Sequence, residues 1–289
     1  MKNTTKGYSY TLTGRVQKTY KDFFFSVAYT YAQSQNTAEA GSTAGGLWSG
    51  RAVKGDPNTP NLANASWYQP HRIVAFASYK LSYAKYFSTT FGAFYEAAPN
   101  GVTSYMYSND FNNDGNINDL IYIPRNQSEI NLVKVGSGGL GTGTSSDPRT
   151  ANQIWAQLNN FISQDKYLNS HRGQVADANA VVFPFFKKLD LNITEDISIK
   201  TGKTRHTLRF SWDILNVGNL LNKDWGLLKV PTKSNFLTYE GLSADGKTPS
   251  FSFPYLDATN QVPVVNSFSN STSIGSRWQM QFGFKYLFN

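Results

Sequence analysis

Residues 205–216 read Arg-His-Thr-Leu-Arg-Phe-Ser-Trp-Asp-Ile-Leu-Asn, and residues 278–288 read Trp-Gln-Met-Gln-Phe-Gly-Phe-Lys-Tyr-Leu-Phe. Both alternate. In an extended chain successive side chains face opposite sides. Leu208, Phe210, Trp212 and Ile214 therefore point one way, and Thr207, Arg209, Ser211 and Asp213 the other. In the second stretch Trp278, Met280, Phe282, Phe284, Tyr286 and Phe288 oppose Gln279, Gln281, Gly283, Lys285 and Leu287. Residues 187–200 repeat the pattern: Leu189, Leu191, Ile193, Ile197 and Ile199 against Asp190, Asn192, Thr194, Asp196 and Ser198, with Glu195 the one carboxylate on the apolar face.

Working outward from these stretches, the same period predicts nine strands, at 7–18, 22–33, 67–81, 86–97, 186–200, 204–216, 224–238, 248–256 and 273–288. Several exceed the roughly 5–6 residues of a globular strand and reach the roughly 9–11 that a tilted membrane strand needs. Thr19–Asp22, Ser82–Lys85 and Thr201–Thr204 are tight turns, whereas 34–65 and 98–184 are long and rich in Gly, Asn, Ser and Pro. Short turns at one end and long loops at the other are the layout of an outer-membrane barrel.

Composition narrows the class. The 289 residues are 15% aromatic but only 16% charged, against about 25% charged in a soluble domain, and the mean hydropathy is −0.42. So many rings exclude a disordered chain. Apolar runs such as Ala180–Phe186 are far too short for a membrane helix. The absence of Cys excludes disulfides and thiolate chemistry. The net charge of +8 comes from singly scattered Lys and Arg without a basic arm, which argues against a nucleic-acid partner. Met1–Tyr10 has no apolar signal core.

These features predict an all-β fold, an antiparallel transmembrane β-barrel in the bacterial outer membrane. Leu208, Phe210, Trp212, Ile214, Phe282 and Phe284 would face lipid, while Arg15, Asp190, Asp196, Arg209 and Lys285 would face the lumen, either solvated in a wide, wet interior or, if the barrel is a transporter of about 22 strands, against its plug. Tyr8, Tyr10, Tyr29, Tyr31, Tyr79, Tyr83, Tyr86 and Tyr286 fall near strand ends, as interface residues do. Bacterial barrels have even strand numbers. Nine strands thus suggest the C-terminal portion of a larger barrel, with Met1 not a natural start.

Five stretches carry a resemblance. They are Asn113-Asp114-Gly115 with Asn118-Asp119-Leu120-Ile121-Tyr122-Ile123-Pro124; Phe161-Ile162, Tyr167-Leu168 and His171-Arg172-Gly173; Leu189-Asp190-Leu191-Asn192-Ile193; Asp213 to Asn222, reading Asp-Ile-Leu-Asn-Val-Gly-Asn-Leu-Leu-Asn; and the terminal Tyr286-Leu287-Phe288-Asn289. Over roughly residues 66–289 the chain resembles the C-terminal portion of a Bacteroidota TonB-dependent outer-membrane receptor of the Oar-like and SusC-like branch, and the His171 motif tilts toward the Oar-like side. The resemblance implies a barrel of about 22 strands in all and energised import of a nutrient (peptide, oligosaccharide or metal chelate). It also implies a plug and an inner-membrane energy-coupling complex reached through the parent chain, and in SusC-like members a surface lid lipoprotein. The plug and coupling segment are missing from this stretch, and the terminal residue is Asn289 rather than Phe.

The chemistry-bearing motifs are few. Asp110, Asn112, Asp114, Gly115 and Asn118 match part of a Ca²⁺ loop, but Ile121 stands where a bidentate Glu belongs, so Asp119, carbonyls or water would have to complete the shell. The competing reading is an Asx-rich turn capping its own backbone. Gly136-Ser137-Gly138-Gly139-Leu140-Gly141 matches G-x-G-x-x-G, yet no helix follows, so it reads as a flexible loop. Residues 151–168 are the one predicted helix, through Ile154, Leu158, Phe161 and Ile162, either a pore lid or packing for the long loop. His71, His171 and His206 have no zinc spacing, and His171-Arg172 is expected to anchor its loop to carboxylates. No residue pattern suggests an enzyme. Two other classes stay open: a passive or structural barrel, and a soluble all-β glycan-binding module.

Overall fold

A computed structural model describes residues 4–39 and 43–289. Of the described residues 47% are strand and 13% helix, mostly antiparallel sheet. Seven long strands lie side by side in sequence order: β1 (Tyr8–Tyr20), β2 (Phe23–Asn36), β3 (His71–Tyr83), β4 (Phe87–Pro99), β5 (Phe185–Thr201), β6 (Thr204–Leu215) and β7 (Gln279–Phe288). Each pairs antiparallel with the next. Among the described residues the sheet does not close: β1 and β7 are its two edges.

Seven of the nine predicted strands are in this sheet. The stretches at 224–238 and 248–256 are not. There, Asn235–Leu242 and Pro249–Ser252 pair with each other and with Met106–Tyr107 and Asn131–Leu132 in a separate four-stranded sheet. The reason is burial on both sides: adjacent Phe236 and Leu237 are 0% and 1% exposed, and Ser250 and Ser252, on either side of Phe251, are 0% and 1% exposed. Such strands belong inside a core and cannot present one wet face.

Three-residue or shorter turns join β1 to β2, β3 to β4 and β5 to β6, all at one end of the sheet. The connections after β2, β4 and β6 leave from the other end and fold into a cap. The cap holds the hydrophobic core, built around Tyr105, Ile121, Ile123, Phe161, Phe236 and Phe253. Its main helix, α1 (Ala151–Gln164), begins where the sequence placed it. The Thr150 side chain accepts from the Gln153 N–H while the Gln153 side chain returns to the Thr150 backbone, which satisfies two orphan donors of the first turn. Ile154, Leu158, Phe161 and Ile162 are its buried stripe, so the helix packs the long connection's own core. A second short helix, α2 (Lys166–Ser170), follows and is capped by Asp165.

Candidate functional site

Strand register sorts the sheet into two chemically distinct faces. Pairing places Leu12, Val16, Val27, Tyr29, Ile73, Tyr79, Phe91, Leu191, Ile193, Phe210, Trp212, Phe282 and Phe284 on one side across all seven strands. These groups do not meet a second layer. Phe210 is 47% exposed, Trp212 37%, Phe282 72% and Phe284 62%. Leu208 is likewise exposed, but Ile214, expected to join them, is covered at 7%, lying at the cap end of β6.

Rings cluster at both ends of this face. Toward the cap, Tyr8, Tyr10, Tyr31, His71 and Phe185 follow one another at centroid separations of 6.2, 6.1, 5.5 and 6.4 Å. The Tyr29 hydroxyl meets His71 Nδ1 at 2.8 Å. Toward the turns, Tyr83 stacks on Phe87, and Tyr286 stacks on His206 with its hydroxyl 2.6 Å from Nδ1. Two histidines therefore serve tyrosines. Glu195 interrupts the apolar face one row inside this lower ring cluster, where it accepts hydrogen bonds from Tyr83 Oη (3.0 Å) and from the Thr89 hydroxyl.

The opposite face is polar and largely self-paired. Arg209 makes two bonds to Asp196 at 2.6 and 2.7 Å. Arg72 meets Glu96 at 2.7 Å, and Arg15 donates to Ser26 Oγ at 3.0 Å. Asp190 receives Lys188 at 2.9 Å and the Asn216 N–H at 2.7 Å. Of the five residues predicted for the lumen, Lys285 alone has no ion pair or side-chain hydrogen bond among the described residues. The geometry thus gives four of the five a role within the sheet.

The motif from Asp213 to Asn222 fastens β6 to β7. Asn216 adopts a left-handed conformation (φ 53°) that ends the strand, and its Nδ2 donates to the Gly226 carbonyl at 2.9 Å. Asn219 Nδ2 donates to the Lys223 and Trp225 carbonyls, and its Oδ1 accepts the N–H of Trp278, just before β7. A side chain at Gly226 would collide with the Asn216 amide.

Within the cap, the 118–124 and 171–173 motifs come together. Tyr122–Ile123 pairs antiparallel with Gln174–Val175, and the Gly173 N–H donates to the Ile123 carbonyl at 2.6 Å. Gly173 (φ 79°) leaves no room for a Cβ beside the Arg125 guanidinium. Arg172 anchors the loop, but not to carboxylates as expected: it donates to Asn159 Oδ1 and Ser163 Oγ, both at 2.9 Å, and to the Pro124 carbonyl. The His171 ring stacks on Tyr167 at 4.2 Å. The glycine loop is packed at one point. Gly139 lies against the Gly241–Leu242 backbone so closely that a Cβ would overlap it, and Ser250 Oγ donates to the Gly139 carbonyl.

The acidic loop folds as the Asx-rich turn. Asp110 accepts the N–H groups of Asp114 and Gly115 at 3.2 and 2.8 Å, and Asp114 Oδ1 accepts that of Asn116. The Asn112 Nδ2 donates to the Gly55 carbonyl, Asp119 Oδ1 and Asp114 Oδ2 at 2.6, 3.0 and 3.3 Å. Asn118 turns its amide to the Arg51 carbonyl instead, and Ile121 is buried in the core. Among the described residues no three His, Cys, Asp or Glu side chains group as a metal site. Burial pushes the Asp119 carboxyl up, against a hydrogen bond from the Phe111 N–H.

The chain matches no family model, no curated protein and no solved structure.

Two cap nodes lay outside the sequence reading. Asp165 Oδ2 accepts from Tyr105 Oη (2.7 Å) and Ser267 Oγ (2.6 Å) while its Oδ1 caps α2, and burial pushes the Tyr105 hydroxyl far up. Arg149 is bound to Asp147 and lies 3.8 Å over the Tyr255 ring. Each joins residues about 60 to 108 positions apart, a separation that leaves no periodic signal.

Proposed function

We propose that this chain is part of a TonB-dependent outer-membrane transporter that imports a nutrient, its seven-stranded sheet forming an arc of a plugged transmembrane barrel. One observation supports the reading above the others: an apolar face, in register across seven strands and interrupted by one carboxylate, Glu195, with large side chains left exposed. A soluble sheet buries such a face against a second layer. In a bilayer the same groups meet hydrocarbon, and ring clusters at both ends match the interfacial girdles of outer-membrane barrels. Glu195 then sits near a girdle, where a charge on the lipid face costs least. The polar face would line the lumen, with Lys285 available to a plug, and the cap would sit at the mouth and select the peptide, oligosaccharide or metal chelate. Force would come from an inner-membrane complex through the parent chain; a lid lipoprotein would cover the cap in a SusC-like assembly.

The test is lipid exposure of Trp212. A variant keeping Trp212 as its one tryptophan is placed in vesicles. Acyl-chain-brominated lipid is expected to quench it strongly and aqueous iodide weakly, with the reverse for a variant keeping only Trp225, in the connection after β6. A chain that stays monomeric and soluble without detergent, with Trp212 open to iodide, would refute the membrane location. Uptake by the parent protein that survives a proton uncoupler would favour a passive barrel.

A further inference from the structure

A half-open cavity of about 330 Å³ lies in the cap, where the small four-stranded sheet meets the segment at Lys54–Gly55. Its walls are mainly carbon, from Tyr107, Phe111, Ile130, Val175 and Phe251. Tyr107 stacks on Phe111 at 4.6 Å and on Phe251 at 5.2 Å, so three rings form one rigid wall.

Three charged side chains also reach the cavity: Lys54, Asp119 and Glu129. Two are neutralised. Lys54 Nζ lies 2.5 Å from Asp177, and Glu129 lies 3.2 Å from Arg125. Asp119 is different. It is 2% exposed, and its two oxygens accept only from neutral donors, the Phe111 N–H at 3.2 Å and the Asn112 amide at 3.0 Å. No cation pairs with it among the described residues, nor with Asp114, to which the same Asn112 amide also donates. A buried carboxylate without a counter-charge is costly, and two neutral hydrogen bonds offset only part of that cost. The cavity therefore calls for positive charge at one point and apolar matter elsewhere. A bare divalent ion fits poorly, since Ca²⁺ wants six to eight oxygens and these walls are carbon.

We propose that this cavity binds an organic cation: a protonated amine or guanidinium on a short aliphatic or aromatic body, its head against Asp119 and its body along the Tyr107–Phe251 wall. The volume stands at the small end of the roughly 300–1,000 Å³ of small-molecule sites, room for one side-chain-sized group. A lysine or arginine side chain of a peptide and a free amine share this chemistry. The inference stands on the cap alone and does not require the sheet to be in a membrane.

The experiment titrates the full chain in detergent micelles with 2-phenylethylammonium, with neutral 2-phenylethanol, with anionic 3-phenylpropionate and with Ca²⁺, using calorimetry and ligand-observed NMR. The ammonium is expected to bind at least ~10-fold more tightly than its neutral and anionic analogues, a difference set by one ion pair. Asp119→Asn should remove that preference. Val175→Phe fills the cavity, leaves the carboxylate in place and should abolish binding of all three; it decides the matter where Asp119→Asn fails to fold. Gly-Lys-Gly outcompeting the free amine would identify a peptide source, and the reverse a small amine; both support the site. Equal binding of the alcohol, amine binding indifferent to both substitutions, or Ca²⁺ binding that Asp119→Asn abolishes while the amine stays silent would each overturn it.

Discussion

Arg149 is the most heavily engaged side chain of the cap. Its guanidinium makes bonds of 2.9 and 2.7 Å to Asp147, one of 2.7 Å to the Phe253 carbonyl and one of 2.6 Å to Gln157, and it covers the Tyr255 ring. Asp147 and Arg149 are both 5% exposed. A buried pair adds little over a well-packed apolar pair, but removing one partner strands the other and costs about 3–5 kcal/mol. Arg149→Met should lower cap stability by about that much, read from denaturant unfolding followed by near-UV circular dichroism. A pH dependence follows from the same pair. Burial opposes ionisation of Asp147, and the bonds from Arg149 outweigh it, holding the carboxyl at about 2 against its ordinary 3.8. A carboxyl with a lowered folded value stabilises the fold fully above its unfolded value and loses that contribution as pH falls through the folded one. The contribution of Asp147 should be constant above about pH 4 and smaller by about 2 kcal/mol near pH 2. In Asp147→Asn this dependence should vanish, on top of a lower baseline; a variant that kept the same acid slope would assign the slope to other carboxylates.

The turn between β3 and β4 carries stored backbone strain. Ala84 and Lys85 both have positive φ, 46° and 62°, in a region where an ordinary side chain costs roughly 1–2 kcal/mol. The neighbouring turn between β5 and β6 instead places Gly202 at φ 63°. Ala84→Gly should therefore stabilise the hairpin by about 1 kcal/mol, and Gly202→Ala should destabilise its own by a similar amount. No atom lies within 4 Å of a Cβ at Gly202, so that loss would be backbone alone. Unfolding midpoints of the two variants check both signs. Lys85 is a poorer place to relieve strain, because its ammonium lies 5.3 Å over the Tyr86 ring. Elements such as these hairpins were legible because a strand advertises its two faces every second residue, as in Leu208 to Ile214, and α1 because Ile154, Leu158, Phe161 and Ile162 recur on one stripe after Thr150. The strands around 236 and 251 were misplaced for a physical reason. Alternation reports a local extended chain, not which sheet it joins, and adjacent Phe236 and Leu237 were the available sign of a two-sided interior. Of the cap cavity the sequence showed only Asp119 and its neighbours in the acidic loop; the rest of the lining comes from around residues 54, 107–111, 129–130, 175 and 249–251, which only the folded cap assembles.

At the scale of the molecule, direction matters more than strand number. β1 runs from the cap end to the turn end, and after seven antiparallel strands β7 runs the same way. Two strands pointing alike cannot zip together in antiparallel fashion, so closing the sheet into an antiparallel barrel takes an odd number of further strands between them. Until those are supplied, both edges offer rows of unpaired N–H and C=O groups, and such edges template pairing with another chain. β1 is the more inviting edge: all 13 of its residues are exposed. Two copies can satisfy it by lying antiparallel about a two-fold axis, an isologous contact. Full overlap of Tyr8–Tyr20 with its twin puts the central residue, Gly14, opposite itself. Gly14 has ordinary φ, and nothing lies within 4 Å of a Cβ built there, so a cysteine fits without strain. The natural chain has no cysteine to interfere. Opposed Cα atoms in an antiparallel pair stand about 4.5–5.5 Å apart, within disulfide reach. The chain carrying Gly14→Cys is therefore expected to oxidise to a covalent dimer in detergent, whereas Tyr8→Cys, which would face Tyr20 of the twin, should remain largely monomeric on non-reducing gels. Equal cross-linking of both variants would mean random collision, and no cross-linking of either would mean that β1 is shielded by something other than a strand.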